Sequence, residues 1–155
     1  MYLRIMRLIL TMFFAWLCVW AADDPLMGTW KLNVAKSHYD PGPPPKSLIR
    51  THEPAGKGIK VTSDAVAQDG KRIHFEFTAY FDGKYYPVAG NGNRDQMSLK
   101  RIDAYTAETT NRNNGKETTR SRWVVSKDGK TFTNTIEGVF PDGRTVHNVH
   151  VYDKQ

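Results

Sequence analysis

Apolar and polar side chains alternate with a period of two along several segments of this chain, a pattern typical of β-strands that bury one face. In segment 71–81 the apolar side chains of Ile73, Phe75, Phe77, Ala79 and Phe81 share one face. In segment 116–126, Trp123 and Val125 lie opposite Arg122. One face of segment 144–153 carries Val146, Asn148, His150 and Tyr152. Helical periodicity is absent from residue 22 onward, so the sequence predicts an all-β protein.

Five short turn sequences punctuate the second half of the chain. Each pairs Asp or Asn with Gly, which accepts the positive φ of a tight turn, and a basic residue follows: 69–71, 82–84, 114–116, 128–130 and 142–144. The stretches between the turns are rich in Thr, Val, Tyr, Phe and Trp. Ten strands are predicted on this basis, at 26–34, 47–53, 58–66, 71–81, 85–89, 96–102, 104–112, 116–126, 131–139 and 144–153.

A chain that turns back on itself this often forms an antiparallel meander, and closure into a barrel is the most complete way to hide its edges. The predicted fold is therefore a single antiparallel up-and-down β-barrel of about 8–10 strands. One connection is not a hairpin. Segment 35–46 contains three consecutive prolines, 43–45, which exclude a helix and predict a stiff crossing loop.

The first 21 residues have the pattern of a signal peptide. Arg4 and Arg7 precede the apolar run 8–20, and the small residues that follow predict cleavage after Ala21. The chain is thereby divided into a signal peptide at 1–21 and a barrel domain at 22–155. The apolar run is short for a membrane span, so we expect an exported protein, periplasmic or secreted, without a stable span after cleavage.

Cys18, the only cysteine, lies inside this first segment. Lipid attachment to Cys18 is an alternative, but Leu17 stands where such signals prefer a small residue. After cleavage behind Ala21 the domain has no cysteine, so its stability depends on an apolar core rather than on disulfides.

The charge of the chain and the motifs that it contains limit the classes of function that the sequence supports. The net charge is +6, and loss of Arg4 and Arg7 leaves +4. The basic residues are scattered along the chain, so no nucleic-acid partner is predicted. Catalytic, cofactor and phosphate-loop motifs are absent, which favours a protein that is not an enzyme and predicts no cofactor. His147 and His150 face opposite sides of a strand, so no metal site is predicted.

Three motifs stand in order along the chain: Gly-Thr-Trp-Lys-Leu at 28–32, Glu-Thr-Thr at 117–119 with Arg122 and the turn 128–130, and Val-Tyr-Asp-Lys at 151–154. The first resembles the opening strand of the calycins, the superfamily of lipocalins and fatty-acid-binding proteins. The other two resemble a late hairpin and the last strand of the fatty-acid-binding branch. With its signal peptide, the chain resembles an exported, bacterial-type member of this superfamily.

The resemblance implies roles for individual residues. Trp30 would plug the barrel floor, and Arg122 and Tyr152 would point inward at the polar head of a ligand; the alternative is that Arg122 lies outside in solvent. The family has an arginine where His150 stands. A neutral imidazole does not form the bidentate fork that holds a carboxylate, so a neutral or weakly acidic ligand is expected. Two helices cover the barrel mouth in fatty-acid-binding proteins, where this chain has segment 35–46.

The sequence thus predicts a barrel that binds a small, largely apolar molecule. Arg122, His150 and Tyr152 are expected to orient its polar end. The apolar lining is expected to include Phe75, Phe77 and Trp123, for which packing in the core is the alternative. A second hypothesis is a barrel with a filled core that contacts a protein partner through its outer face or the proline segment. A small calycin-type enzyme is the third.

Overall fold

The computed structural model describes residues 24–155, which form a closed barrel of ten antiparallel strands. The predicted signal peptide at 1–21 and Cys18 lie outside the described residues. The strands are β1 Gly28–Leu32, β2 Ser47–Ala55, β3 Gly58–Val66, β4 Arg72–Tyr80, β5 Asp82–Ala89, β6 Gln96–Asp103, β7 Thr106–Asn113, β8 Lys116–Val125, β9 Thr131–Val139 and β10 Thr145–Lys154. A short 3₁₀ helix at Val34–Lys36 follows β1.

Every strand pairs with the next one in sequence, and β1 also pairs with β10, which closes the barrel. In the closing pair Trp30 lies opposite Lys154 and Leu32 opposite Tyr152. The predicted all-β, up-and-down barrel is therefore confirmed, with ten strands. We call the end where β1 begins and β10 ends the floor, and the opposite end the mouth.

Four of the five predicted turn sequences lie in turns between strands, whereas the fifth, 82–84, begins β5 directly after the turn at Phe81. The glycines of all five have φ between 70° and 87°, in the left-handed region. In each of the four Asp-Gly turns the Asp carboxylate accepts a hydrogen bond from the backbone N–H two residues further on. This bond fixes the turn locally, which explains why such short sequences mark the ends of strands so well.

The floor half of the barrel is filled by large aromatic side chains. The rings of Trp30 and Phe132 have centroids 5.5 Å apart, and Phe132 also packs against Trp123 and Tyr152 at 5.9 and 5.2 Å. Trp30 is 0% exposed, and its Nε1 donates to the Leu26 carbonyl. Trp30 thus lies buried near the floor, the position that the resemblance implied for it.

The proline-containing segment extends the barrel wall. After β1 ends, His38 forms a bridge with Val149, and the His147 N–H donates to the Asp40 carbonyl at 2.7 Å. Residues 38–40 therefore run beside the mouth half of β10, where the short β1 does not reach. This path turns Tyr39 towards the interior, where its ring stacks on His150.

Candidate functional site

Arg50 is the central charged residue of the barrel interior. On β2 the alternation turns Arg50 and His52 inward, and Arg50 is only 4% exposed. Its guanidinium lies over the Trp123 ring, 4.4 Å from the centroid, and its Nε donates to His52 Nε2 at 2.9 Å. Its Nη2 has no hydrogen-bond partner among residues 24–155. The side chain is thus held on two sides and keeps one free donor group.

A second guanidinium enters from the mouth. Arg94 lies in the loop between β5 and β6, and its Nη1 donates to Asn111 Oδ1 at 3.2 Å. The guanidinium lies 4.8 Å from the centroid of the Phe75 ring, and its Nε lacks a partner. Burial, together with the nearby charge of Arg50, lowers the pKa of Arg94 to about 10. The positive charges of Arg50 and Arg94 therefore repel each other across the interior.

No acidic side chain balances these two arginines in the described part of the chain. Neither forms an ion pair among residues 24–155, and the buried polar residues of that range include no Asp or Glu. Burial lowers the pKa of Arg50, while the neighbouring Tyr152 hydroxyl opposes that shift. An unpaired buried charge costs several kcal/mol, so the interior has a strong preference for an anion or another hydrogen-bond acceptor.

Three further polar side chains lie beside this charge. Tyr39 stacks on His150 with ring centroids 4.6 Å apart, and His150 Nδ1 lies 3.3 Å from the Tyr152 hydroxyl. Burial lowers the pKa of His150 to about 4, with the charges of Arg50 and Arg94 acting in the same direction. His150 is therefore neutral near neutral pH. Burial also raises the pKa of both tyrosines, which keeps them protonated.

Polar atoms without a partner are concentrated on the inner side of the barrel. Besides the two arginine nitrogens, four buried inward groups make no hydrogen bond within the described part of the chain: Tyr39 Oη, Trp123 Nε1, Asn134 Oδ1 and His150 Nε2. Buried polar groups are nearly always paired with protein, water or ligand. Asn134 lies opposite both Trp123 and His150 in the strand register, so these groups form one cluster.

The mouth half has two chemically different walls. The inward residues of β3–β6 are mainly apolar, from Ile59 and Ala79 near the floor to Phe75, Val88 and Met97 towards the mouth, with the buried Ser63 as an exception. Beyond the aromatic cluster at the floor, those of β7–β10 are mainly hydroxyl, amide or imidazole side chains, with the buried Val146 as an exception: Thr109, Asn111, Thr119, Ser121, Asn134, Asn148 and His150. In the polar wall, side-chain hydrogen bonds join Thr109 to Ser121 at 2.7 Å and Asn111 to Thr119 at 2.8 Å. The interior thus has a mainly apolar wall and a mainly polar wall.

The structure corrects the prediction for Arg122. Its side chain is 53% exposed on the outer face, where Nη1 donates to Glu108 Oε1 at 2.7 Å. The neighbouring Trp123 turns inward, and successive residues of a strand face opposite sides. The inward placement of Arg122 is therefore wrong, and the alternative, that it lies in solvent, is the observed one.

The other predicted site residues lie at the interior. His150, Tyr152, Trp123 and Phe77 are gathered around Arg50 or the adjoining core, and Phe75 is half-buried beneath Arg94. Their role in binding a ligand stays a prediction. On β4, Phe75, Phe77 and Ala79 face inward as expected, whereas Ile73 is exposed and Phe81 lies in the floor turn.

Sequence reasoning missed Arg50, Arg94 and Tyr39. A signal for Arg50 existed, because Leu48, Arg50 and His52 alternate with Ile49, Thr51 and Glu53 along segment 47–53. The exposed Ile49 made the outer face look as apolar as the inner one. Arg94 and Tyr39 lie in the connections between strands, where the alternation of a strand does not predict which way a side chain points.

Two further findings concern the described range alone. Within residues 24–155, no three His, Cys, Asp or Glu side chains are grouped so that they could hold a metal ion. No helix in that range is both long enough and apolar enough to cross a membrane.

The comparison with solved structures gives a match in fold. The chain is similar to zebrafish ileal bile acid-binding protein in its crystal structure with cholic acid, with a TM-score of 0.53 and 14% sequence identity. The match covers 84% of this chain and 99% of the zebrafish chain. No protein-family model matches the sequence, and the comparison with curated proteins gives no match. The closed ten-stranded barrel and this likeness together show that the protein has a calycin-like β-barrel fold.

Proposed function

We propose that this protein binds a small amphipathic molecule inside the mouth half of its barrel, with an anionic group of that molecule at Arg50. The observation that carries this proposal is the buried guanidinium of Arg50, with the half-buried Arg94 near it and no carboxylate among the buried residues described. A bound anion would accept from the free Arg50 Nη2 and relieve the cost of burying that charge.

This ligand is more polar than a largely apolar molecule. A neutral His150 adds a donor or an acceptor, and Tyr39 and Asn134 add a hydroxyl and an amide oxygen without partners. Because Arg122 is outside, the anion site does not depend on it. The expectation of a neutral or weakly acidic ligand, which rested on His150, gives way to that of an acidic one.

The two walls favour a molecule that is apolar on one face and hydroxylated on the other. Its apolar face would pack on β3–β6, where burial contributes about 25 cal/mol per Å². Its hydroxyl groups would meet the Thr, Ser and Asn side chains of β7–β10. Cholic acid, the molecule in the zebrafish complex, has this chemistry and carries a carboxylate. It is therefore the first probe.

The alternative of a barrel with a filled core is supported by the floor half, where Trp30, Trp123, Phe132 and Tyr152 pack together. That alternative predicts no uptake of any probe and an outer surface or proline segment that contacts a protein partner. The binding experiment below decides between the two.

The test compares titrations of cholic acid, a fatty acid and a neutral sterol into wild type, Arg50→Gln and Arg122→Gln, followed by calorimetry and tryptophan fluorescence. We expect cholic acid to bind wild type most tightly. A hydrogen bond to a charged group is worth about 1.5–3 kcal/mol, so Arg50→Gln should weaken binding by about 10- to 100-fold.

Arg122→Gln is the matched control, because it removes the same charge from the outer face of the barrel. We expect it to keep the wild-type affinity. Absence of binding for all three probes would contradict the proposed function, and equal affinities for wild type and Arg50→Gln would contradict the anion site.

We also propose that the protein acts outside the cytoplasm, which the pattern of residues 1–21 supports. Mass spectrometry of the protein recovered from its host should then give a chain that begins at Ala22. A mature chain that still begins at Met1 would overturn this proposal.

A further inference from the structure

The floor of the barrel is closed by a short segment, residues 24–27, which we call the floor segment. The Leu26 side chain is fully buried, and the Leu26 N–H donates to Asp24 Oδ1 at 3.0 Å. The Met27 N–H donates to the Asp24 carbonyl at 2.9 Å, and Asp24 forms an ion pair with Arg101 of β6. Asp24 thus folds the segment into a turn and fastens it to the barrel wall.

The floor segment touches the interior through one carbonyl group. The Leu26 carbonyl accepts from Trp30 Nε1 at 3.2 Å and lies 2.7 Å from His52 Nδ1. A carbonyl oxygen only accepts, so His52 Nδ1 must carry the hydrogen. His52 is 2% exposed, and burial and the Arg50 charge hold its pKa well below the usual value. The neutral ring therefore has a free lone pair on Nε2.

Arg50 donates a hydrogen bond to that lone pair. Its Nε lies 2.9 Å from His52 Nε2, and an arginine Nε can only donate. The arginine and the carbonyl thus favour the same tautomer of His52 from opposite sides of the ring. The His52 ring also stacks on Trp123, with centroids 5.3 Å apart, and Trp123 carries the Arg50 guanidinium on its face. The plane of the guanidinium is fixed by these two contacts.

We infer that His52 is a positioning residue for Arg50, and that the floor segment controls the interior anion site by fixing the tautomer of His52. The connection runs from Asp24 through the Leu26 carbonyl, His52 Nδ1 and His52 Nε2 to Arg50 Nε. This inference rests on the proposed function only in so far as Arg50 receives the anion. The hydrogen-bond relay itself exists without a ligand.

The first arm of the test therefore uses protein without ligand. Heteronuclear NMR of the imidazole nitrogens should show His52 as the single tautomer protonated at Nδ1, unchanged from mildly acidic to neutral pH. The Arg50 Nε–H should give a signal that exchanges slowly with water. A His52 protonated at Nε2, or in rapid exchange between tautomers, would overturn the relay whether or not the protein binds cholic acid.

The second arm releases the floor segment from a distance. Asp24→Ala removes the acceptor for the Leu26 N–H and the partner of Arg101, and Asp142→Ala removes the partner of Arg144 in a turn at the mouth as the matched control. We expect Asp24→Ala to mix the His52 tautomers and to weaken cholic acid binding roughly ten-fold, within the usual range of coupling between sites. The control should keep the wild-type spectrum and affinity.

The third arm changes the relay itself and remains informative if Asp24→Ala does not fold. His52→Gln can present an acceptor to Arg50 where Nε2 lies, whereas His52→Asn can reach only the Leu26 carbonyl. Affinity should therefore fall further in His52→Asn than in His52→Gln. Equal affinities in the two variants, or a changed tautomer in Asp24→Ala with unchanged affinity, would overturn the positioning role. Loss of binding in wild type would instead count against the proposed function.

Discussion

At the scale of single residues, Tyr39 brings an unsatisfied hydroxyl into the barrel. Its ring stacks on His150, but its Oη is buried without a partner among the residues that the structure describes. A buried hydroxyl of this kind costs about 1–3 kcal/mol. We therefore expect Tyr39→Phe to raise the free energy of unfolding of the ligand-free protein by about 1 kcal/mol, because the ring contact is kept.

Urea unfolding measures this change, and Tyr39→Ala is the companion variant. It removes the stacked ring as well as the hydroxyl, so the free energy of unfolding should fall. A Tyr39→Phe variant that is less stable than wild type would mean that the hydroxyl makes a stabilising contact. If Tyr39→Phe also weakens cholic acid binding, the hydroxyl belongs to the ligand site.

Trp30 is the residue on which the packing of the floor depends most. Its ring is fully buried against Phe132, and Lys154 lies over it at 5.0 Å. Replacement of a buried tryptophan by alanine leaves a cavity and costs about 3–5 kcal/mol. Trp30→Ala should lower the free energy of unfolding by that amount in chemical denaturation. Ile49→Ala, at a position 44% exposed, should change it by less than about 1 kcal/mol.

The facing of single residues could be predicted only where the strand alternation was followed through. Arg122 and Trp123 were both expected in the interior, yet adjacent residues of a regular strand face opposite sides. The alternation along 116–126 already placed the two residues on opposite faces. Trp123 faces the interior because exposure of its large apolar ring to water is more unfavourable than exposure of an arginine. The resemblance to a family suggested that Arg122 points into the barrel, whereas the alternation in this chain predicted that it faces outward.

At the scale of the elements, Gly138 controls the contact between β8 and β9. Its φ is 138°, and a Cβ there would lie 2.3 Å from the Thr118 carbonyl oxygen, which is backbone and cannot move aside cheaply. Gly143, in the turn after β9, has φ 87° but nothing within 4 Å of a Cβ. The two glycines separate the cost of a steric clash from the cost of a left-handed backbone.

We expect Gly143→Ala to lower the free energy of unfolding by about 1 kcal/mol, the cost of a side chain in the left-handed region. Gly138→Ala should lower it by about 3 kcal/mol, because strand displacement adds to the backbone cost. Thermal or urea unfolding of the two variants gives the comparison. Equal losses would show that the β8–β9 ladder adjusts to the extra methyl group without cost.

The strands could be predicted almost completely, whereas the proline segment could not. Strand ends follow from Asp-Gly and Asn-Gly turns, whose hydrogen bonds are local in sequence. The path of residues 38–40 depends on β10, more than 100 residues away, through the bridge between His38 and Val149. No local pattern encodes a pairing of that range. The same holds for Tyr39, which enters the site only because of it.

At the scale of the whole molecule, the barrel brings two buried neutral histidines beside two guanidiniums. His52 and His150 come from β2 and β10, and the pKa of each is lowered by burial and by the Arg50 charge. For His150 the lowered pKa is about 4, against 6.5 for the free side chain. The unfolded chain therefore binds more protons than the folded one below pH 6.5.

The sign of the pH dependence follows from this difference. Above pH 6.5 both histidines are neutral in the folded and the unfolded chain, and the stability is independent of them. As the pH falls below 6.5, each histidine lowers the free energy of unfolding by about 1.4 kcal/mol per pH unit, until the pH reaches the pKa of that histidine in the folded protein. Acidification should thus destabilise the barrel well before the carboxylates titrate.

Urea unfolding at several pH values between neutral and mildly acidic measures this slope. His150→Gln should reduce the slope by about 1.4 kcal/mol per pH unit, because one of the two buried imidazoles is gone. His38→Gln is the control for loss of a histidine, since its side chain is exposed on the proline segment. If both variants changed the slope equally, the acid sensitivity would not originate in the interior. A bound anion at Arg50 would offset part of the loss, because it would favour the protonated form of His150 beside it.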